Sequence, residues 1–498
     1  MSRQIYLSKS KLISGWQCEK RLWLEKHKPE LVEISPSTQA AFAVGHSVGD
    51  MAQALFPGGT LIKHDHELSL ALKETQSLMA QPGPVTLYEG TFQADGVLIR
   101  ADILERSSRD GVRLVEVKAA TKVKDYYVYD CAIQLWVMER LGINVQKLEL
   151  AHINNQFVYK GDKEYQGLLT YVDVLEEARS LQSEVGALID EMRAALAGDE
   201  PDIEMGGHCT SPFECPFYSY CEGPQPEMPV SWLPGGRRAA NGLREAGYRD
   251  IREIPEDYLD NEVAERCRRV AITGEPFLDS RAAEELGQLG WPRYYFDFET
   301  LAPAVPVFAD TSPYKAQAFQ WSCHIEHQNG ELEHEEFLAD GKEAPMRACA
   351  ESLIEVLGNS GPVFMYSNYE RTVIRGLARL FPDLCVPLNA LVDRLFDLYP
   401  VTKDYFYHPD MRGSWSIKSV LPAITTGLDY RDLTIVSSGM MAEPIFLEMI
   451  DKGTTDERKS ELRIALLTYC ERDTLAMVKL AHYLEGREMT KHLPERAP

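Results

Sequence analysis

Residues 98–118 read LIRADILERSSRDGVRLVEVK, and this stretch decides the fold of the N-terminal part of the chain. It divides into two aliphatic, β-branched runs around the polar turn SSRDG, a pattern that predicts a β-hairpin. Because side chains alternate between the two faces of a strand, Glu116 and Lys118 share one face and their aliphatic neighbours take the other. Asp102 lies on the preceding run, so charged groups meet beside a hydrophobic core, where they need a partner.

A divalent cation would satisfy these charges. Asp102 and Glu116 are the predicted ligands of Mg²⁺ or Mn²⁺, because such ions prefer hard carboxylate oxygens. Lys118 would then orient the attacking water or stabilise negative charge on a scissile phosphate. The alternative is a surface hairpin that carries an ordinary Glu–Lys ion pair.

This arrangement, D-x13-E-x-K on a hairpin, resembles the core of the PD-(D/E)XK nucleases in their RecB-type branch. The resemblance implies that Gln134, on a helix predicted over DCAIQLWVME, belongs to the site, although Met138 stands where the branch carries a tyrosine. It also implies a supporting role, as a further metal ligand, for Glu89 in YEGTF. His46 and Asp50, one helical turn apart in GHSVGD, could have either a structural or a metal-site role.

Net charge and cysteine usage limit the function classes. The formal net charge of -24 argues against bulk electrostatic binding of nucleic acid, so any such contact must use local basic strips such as the one in residues 106–124. No apolar run approaches the length of a membrane span, and the N-terminus lacks the apolar core of a signal peptide. These features predict a cytoplasmic protein without membrane partners, in which the ten cysteines are not disulfides.

Three cysteines are evenly spaced in GGHCTSPFECPFYSYCEGP, with five residues between neighbours, at Cys209, Cys215 and Cys221. Three clustered cysteines need a fourth partner, and Cys18 is the candidate. This pattern resembles the iron–sulfur nucleases of the AddB type and of CRISPR adaptation, although the first gap is longer here. The resemblance implies a [4Fe–4S] cluster that joins the two ends of the nuclease domain. A four-thiolate zinc site and three unlinked buried cysteines are the alternatives.

Residues 291–303, WPRYYFDFETLAP, open a second region with catalytic character. They predict an apolar strand that places Asp297 and Glu299 on one face. Glu370 follows in SNYE, at a strand–turn–helix junction. Tyr469 and Asp473 stand one turn apart on a helix predicted over LLTYCERDTLAMVKL.

DFET, SNYE and YxxxD, in this order, resemble the three motifs of the RNase H-like 3′–5′ exonucleases of the DEDDy group. The resemblance implies that Asp297, Glu299 and Asp473 bind metal and that Tyr469 aligns the attacking water. Glu370 stands where the group has an aspartate, which would shift a ligand by about 1 Å. The alternative is an exonuclease fold without a working metal site.

The segments between these motifs carry weaker signals. Residues 147–160 predict a strand pair, and residues 165–198 predict a long helical stretch. The Pro/Gly-rich start of residues 225–290 predicts a linker. The helical module that follows is loosely similar to a helix-hairpin-helix, and a spacer is the simpler interpretation.

The predicted fold is mixed α/β and α+β, with a PD-(D/E)XK nuclease-like domain and its four-cysteine cluster over residues 1–224. The linker and helical module over 225–290 join it to an RNase H-like domain over 291–485, followed by a tail over 486–498. This order resembles a largely uncharacterised bacterial family that joins an iron–sulfur RecB-like nuclease to an RNase H-like domain. The resemblance implies a metal-dependent hydrolase of phosphodiester bonds in nucleic acid, DNA rather than RNA, cutting exonucleolytically in repair or defence. The alternative is a nucleic-acid-binding adaptor, non-catalytic or single-headed, with a structural metal cluster.

Overall fold

The computed structural model describes residues 6–64, 67–108, 111–425 and 438–487, together with residues 428, 430, 433, 435 and 436. Arg109 of the predicted basic strip, and the predicted tail from residue 488 onward, lie outside the described residues. The chain divides into two compact units, Met1–Gly223 with Pro303–Lys315 and Pro224–Ala302 with Ala316–Pro498. Both units mix helices with sheets, which confirms the predicted α and β class, whereas the predicted domain limits stay a prediction.

The first unit is built on one mixed sheet. Its strands are β1 Leu7–Ser8, β2 Thr60–Leu61, β3 Val85–Ala94, β4 Val97–Ser108, β5 Gly111–Lys118, β6 Val145–Ile153 and β7 Leu169–Asp173. They lie in the order β2, β3, β4, β5, β6, β7, and β1 pairs with β4. The pairs β3–β4, β4–β5 and β6–β7 are antiparallel, and the pairs β2–β3, β5–β6 and β1–β4 are parallel.

Helices cover both faces of this sheet. They are α1 Lys9–Gln17, α2 Glu19–His27, α3 Pro36–Ala54, α4 Leu68–Ala80, α5 Asp125–Arg140, α6 Leu175–Ser180, α7 Gln182–Ala197 and α8 Tyr218–Glu222. In the β4–β5 hairpin, Leu104 pairs with Leu114 and packs in the cluster that contains α5. Ile103 pairs with Val115 and packs in the cluster that contains α3. Burial on two faces explains why both runs of the hairpin are so rich in aliphatic residues.

Two segments of this unit differ from the prediction. Residues 147–153 belong to the single strand β6, and residues 154–160 form a turn and irregular structure instead of a second strand. Residues 165–198 include β7 before α6 and α7. In β7, Leu169 is buried whereas Thr170 and Tyr171 are exposed, and the strand pairs with β6 along its whole length. Its β-branched and aromatic residues favour a strand, and the helical pattern begins only after it.

The second unit contains a second sheet and a small strand pair. Its strands are β8 Phe277–Leu278, β9 Arg293–Leu301, β10 Gln317–Glu326, β11 Leu332–Leu338, β12 Val363–Met365, β13 Leu395–Asp397 and β14 Phe406–Tyr407. The sheet order is β11, β10, β9, β12, β13, and β8 pairs with β14. The β9–β10 and β10–β11 pairs are antiparallel, whereas β9–β12 and β12–β13 are parallel.

A long C-terminal helix covers one face of this sheet. The helices of the unit are α9 Gly236–Glu245, α10 Glu262–Thr273, α11 Arg281–Gly287, α12 Met346–Leu357, α13 Tyr369–Leu380, α14 Cys385–Val392, α15 Leu398–Tyr405, α16 Ile417–Ile424, α17 Gly439–Ile450 and α18 Asp456–Leu484. Thr455 caps α18, because its side chain accepts a hydrogen bond from the Arg458 N–H. The helix packs on β9 and β10, so polar residues on its inner face lie beside the strand that carries Asp297.

The helical module before this sheet shares a core with it. Leu243 and Cys267 of α9 and α10 belong to the same buried cluster as Tyr295 of β9, Phe364 of β12 and Leu480 of α18. Among the described residues, none of the helices combines the length and the apolar character that crossing a bilayer requires.

Candidate active sites

The charged residues predicted on the β4–β5 hairpin meet at one cavity of the first unit. Asp102, Glu116 and Lys118 line a space of about 520 Å³. Glu89, from β3, lines it as well, and so do His46 and Asp50 of α3. Glu89 has a backbone φ of 57°, the left-handed region that a non-glycine residue adopts at a cost.

Glu116 is held by three donors. Its Oε1 accepts hydrogen bonds from Nζ of Lys118 at 2.6 Å and from Nζ of Lys9 at 2.8 Å. Its Oε2 accepts one from Nε2 of Gln134 at 2.6 Å. Gln134 therefore lies beside Glu116, and it fixes the orientation of the carboxylate.

Lys9 and Asp130 complete this network, and the sequence analysis had missed both. Asp130 accepts a hydrogen bond from Lys118 at 2.5 Å, and its other oxygen lies 3.4 Å from Nζ of Lys9. The spacing of Asp130 and Gln134, four residues apart on α5, was a usable signal because such residues share a helix face. No sequence signal pointed to Lys9, because it comes from a helix more than a hundred residues before Glu116.

The pKa values of two carboxylates at this site are shifted in opposite directions. Burial raises the pKa of Glu116, but Lys118 and Lys9 outweigh it, so the pKa lies below its usual range. For Asp102, burial and then the charge of Glu116 raise the pKa to about 7. Asp102 accepts a hydrogen bond from the Val117 N–H at 2.7 Å. At neutral pH Glu116 is thus ionised and Asp102 is partly protonated.

The predicted metal ligands of this site do not form a compact group. Within the described part of the first unit, no three possible ligand atoms lie within 4.8 Å of one another, so Glu89, Asp102 and Glu116 are not brought that close. The Glu116 carboxylate is paired instead with the ammonium groups of Lys9 and Lys118.

The raised pKa of Asp102 predicts a pH-dependent stability. The folded protein retains a proton on Asp102 between about pH 4 and 7 that the unfolded chain releases, so stability falls as the pH rises through this window. Asparagine resembles the protonated side chain and removes this titration. The stability of Asp102→Asn minus that of the wild type should therefore increase by up to about 1.4 kcal/mol per pH unit between pH 5 and 7. Urea unfolding in the presence of EDTA measures this difference, and a pH-independent difference would contradict it.

The four predicted cysteines converge elsewhere in the first unit. Cys18, Cys209, Cys215 and Cys221 line one small cavity, and all four are free thiols. Cys18 lies at the junction of α1 and α2. The Gln17 side chain links this junction to the segment that carries Cys209, Cys215 and Cys221, which we call the cysteine loop. Its Nε2 donates to the carbonyl oxygens of His208, at 2.6 Å, and Phe213, at 2.8 Å. Among the described residues, no three of the four sulfur atoms lie within 4.8 Å of one another.

The predicted residues of the second unit form a compact site, which we call the acidic cluster: Asp297, Glu299, Glu370 and Asp473. Carboxylate oxygens of Asp297, Glu299 and Asp473 all lie within 4.8 Å of one another. Glu370, at the start of α13, accepts a hydrogen bond from the Ser367 hydroxyl at 3.1 Å. Together with Asp297 and Asp473 it lines a cavity of about 570 Å³. Strand alternation on β9 and the helical turn on α18 place these groups as predicted.

Like charges dominate the acidic cluster. Burial, then the neighbouring Asp473, raises the pKa of Asp297 well above its usual range, and the same two causes raise the pKa of Glu299. Burial also raises the pKa values of Glu370 and Asp473. Asp297 and Glu370 share a hydrogen bond, which requires a proton on one of them. The cluster thus retains protons in the absence of a cation, because four anions cannot be buried together.

Two tyrosines and a lysine border the cluster. Tyr430 donates a hydrogen bond to Oδ1 of Asp473 at 2.5 Å, and Tyr469 also hydrogen-bonds this carboxylate. Nζ of Lys418 lies 4.9 Å from the ring centre of Tyr469 and 5.1 Å from that of Tyr430. Tyr469 was predicted, whereas Tyr430 and Lys418 were missed. Asp397 lines the cavity but accepts a hydrogen bond from the Tyr399 N–H, as a helix cap does.

Comparison with known proteins adds one family. Residues 294–416 match a family profile described as "Domain of unknown function (DUF2779)". The matched range contains Asp297, Glu299 and Glu370 and ends before Asp473. Because that family has no assigned function, the match supplies none, and the finer resemblances of the sequence analysis stay predictions.

The other comparisons give no information about function. No curated protein matches the chain. A solved structure described as the crystal structure of SSO0001 matches with 13% sequence identity and a TM-score of 0.20, over 41% of this chain and 81% of that protein. A TM-score this low supports no argument about the fold.

Proposed function

We propose that the protein is a metal-dependent nuclease whose principal catalytic site is the acidic cluster of the second unit. In this proposal the second unit is an RNase H-like exonuclease domain and the first is a PD-(D/E)XK-like domain. The substrate is nucleic acid in the cytoplasm, with DNA favoured over RNA and exonucleolytic cutting. The observation that carries the proposal is the convergence of carboxylates from β9, α13 and α18 on one cavity.

The donor set fits a hard divalent cation. Three carboxylate groups within 4.8 Å of one another match the oxygen ligands that Mg²⁺ and Mn²⁺ prefer. Their raised pKa values support the same conclusion, because a cation is what would allow these neighbouring groups to ionise together. Asp297, Glu299 and Asp473 would hold the cation, with Glu370 at the edge of the set.

The residues around the cluster fit hydrolysis of a phosphodiester. A bound Mg²⁺ or Mn²⁺ supplies an activated water and neutralises charge on the phosphate. Tyr469, held against Asp473, can orient the attacking water through its hydroxyl group. Lys418 lines the cavity and places a positive charge where the phosphate gains negative charge.

Aromatic side chains in the same cavity support a nucleic-acid substrate. Tyr366 and Tyr399 both line it, with ring centres 5.8 Å apart and planes at 81°. Unstacked bases bind to such faces without sequence preference. This supports a single-stranded end as the substrate and is compatible with a net charge of -24, because stacking does not depend on a basic surface.

One observation favours a single-headed enzyme, in which the first unit binds without cleaving. In the first unit, Lys9 and Lys118 both bind the Glu116 carboxylate that a metal ion would need. A cation there would have to displace at least one ammonium group, whereas three carboxylate groups of the acidic cluster already lie within 4.8 Å of one another. We therefore assign catalysis to the second unit and substrate binding to the first.

The four cysteines fit a [4Fe–4S] cluster better than a single zinc ion. Four thiolates on one zinc ion lie about 3.8 Å apart, given Zn–S bonds of about 2.3 Å. Among the described residues, no three of these sulfur atoms lie within 4.8 Å of one another, and a cluster of several irons can accommodate such a spacing. Cys18, Cys209, Cys215 and Cys221 would bind its irons, and its role would be to join α1 and α2 to the cysteine loop.

Metal analysis tests the cluster. Protein purified under argon should be brown and contain about four iron and four sulfide ions per chain. Cys215→Ser should lose the colour and the iron, whereas Cys267→Ser, a buried cysteine of the second unit, should retain both. A colourless wild type with one equivalent of zinc that Cys215→Ser loses would replace the cluster by a zinc site.

Cleavage of end-labelled oligonucleotides tests the function. Single- and double-stranded DNA and RNA are incubated with the full-length protein and Mg²⁺ or Mn²⁺, with EDTA as the control. The proposal predicts metal-dependent shortening from one end, with single-stranded DNA cleaved fastest. Binding without cleavage under all these conditions would favour the adaptor.

A further inference from the structure

A second group of possible metal ligands lies beside the acidic cluster in the second unit, and we call it the histidine cluster: His324, His334 and Glu471. One ligand atom from each residue lies within 4.8 Å of the other two. His324 and His334 are direct cross-strand partners on β10 and β11, with ring centres 4.6 Å apart. Glu471 comes from α18, and its Oε1 lies 4.0 Å from Nδ1 of His334.

One arrangement of protons satisfies a chain of hydrogen bonds that links both imidazole rings. In it the Thr474 hydroxyl donates to the main-chain carbonyl of Glu471 at 3.0 Å, because a carbonyl can only accept. With its proton used in this way, the Thr474 oxygen accepts from Nδ1 of His324, at 2.8 Å, and from the Ser322 hydroxyl, at 2.9 Å. Nδ1 of His324 then carries the ring proton, and Nε2 carries a lone pair.

The same chain fixes the second ring. Because the Ser322 proton is used towards Thr474, the Ser322 oxygen accepts from Nε2 of His334 at 2.8 Å. Nδ1 of His334 therefore carries a lone pair, and this is the atom that faces the carboxylate of Glu471. Histidines that bind metals are oriented in this way, with the other ring N–H donated to a fixed acceptor.

The first ring is enclosed by the protein, because His324 is only 2% exposed. His334 and Glu471 are half-buried, so the group can be reached from solvent. Two neutral imidazoles and a carboxylate form the ligand set of many zinc sites and of several other divalent transition metals.

We propose that the histidine cluster is a binding site for a zinc-type divalent transition metal ion, with Nε2 of His324, Nδ1 of His334 and the Glu471 carboxylate as ligands. Ligands of one zinc ion lie about 3–4 Å apart, so a small rotation of the half-buried Glu471 side chain completes the site. The ion would tie the β10–β11 hairpin to α18, the helix that also carries Tyr469 and Asp473. This inference does not depend on the proposed nuclease activity.

Zinc binding to the full-length protein tests this site. Protein treated with EDTA is titrated with ZnCl2 against a competing chelator, and the equivalents bound per chain are compared between variants. His334→Ala and Glu471→Gln should each weaken one equivalent by about 100-fold or more, since each removes a ligand. His327→Ala, a histidine that follows β10 outside the cluster, should bind as the wild type does. Circular dichroism checks that each variant is folded, and glutamine preserves the shape of Glu471.

Three results would overturn the proposal. The wild type could bind no equivalent that the two variants lose, or His327→Ala could lose the same equivalent. The Asp297→Asn variant could also lose it, which would place the zinc ion in the acidic cluster. Failure of nucleic-acid cleavage has no bearing on this test, so the two proposals fail separately.

Discussion

Replacing Asp297 by asparagine is expected to reduce metal-dependent cleavage on the order of 10³-fold and to raise the stability of the metal-free protein. The first effect follows from the loss of one of three carboxylates that would hold the cation. The second follows from electrostatics, because burial and Asp473 raise the pKa of Asp297 and the ionised group destabilises the fold. Each kcal/mol gained raises Tm by roughly 2–4 °C. Cleavage rates with Mn²⁺ and thermal unfolding in EDTA measure the two effects.

The opposite directions of these effects make the prediction specific. A substitution that merely damaged the fold would lower both activity and stability. Asp393→Asn is the matched control, because Asp393 is exposed in the same unit and should leave both quantities unchanged. If Asp297→Asn is as active as the wild type, the acidic cluster is not the catalytic site.

Replacing Glu116 by alanine is expected to destabilise the first unit by about 3 kcal/mol. The reason is that Glu116 is the hydrogen-bond partner of two lysines and of Gln134. Removing one partner of a buried ion pair costs about 3–5 kcal/mol, and the lower end applies because Lys9 and Lys118 keep some exposure to solvent.

Urea unfolding at pH 7 measures this loss. Because the lysines lower the pKa of Glu116 in the folded state, the stabilisation is complete above about pH 4.5 and decreases as the pH falls further. Glu105→Ala is the control, since the Glu105–Arg113 pair on the same hairpin is one-third exposed and should contribute less than about 1 kcal/mol. A double variant, Glu116→Ala with Lys9→Met, should recover part of the loss. Equal stabilities of Glu116→Ala and the wild type would contradict the account.

The two sites therefore differ in a way that local sequence could not reveal. In the first, carboxylates are balanced by lysines from α1 and β5, and in the second, carboxylates face one another. Strand alternation was enough to place Asp297 beside Glu299, and helical spacing was enough to place Tyr469 beside Asp473. Lys9 could not be found because its approach to Glu116 is a tertiary contact across more than a hundred residues.

Functional residues of the second unit were missed for the same reason, because tertiary contacts bring them together. Lys418 lies on α16 and Tyr430 beyond its end, and only the packing near α18 brings them to Asp473. The histidine cluster was hidden because its members are spread over β10, β11 and α18. The strand β7 was predicted as helix because it is short and lies directly before α6 and α7, whose helical pattern was extended over it. Thr170 and Tyr171 favour a strand.

In the proposed mechanism the acidic cluster of the second unit binds the divalent cation on which hydrolysis depends. Electron paramagnetic resonance of Mn²⁺ titrated into EDTA-treated, full-length protein tests this most directly, in the wild type, in Asp297→Asn and in Asp473→Asn. We expect one bound Mn²⁺ in the wild type that both variants lose and that His334→Ala retains. Mn²⁺ binding that is unchanged in both aspartate variants would contradict the claim.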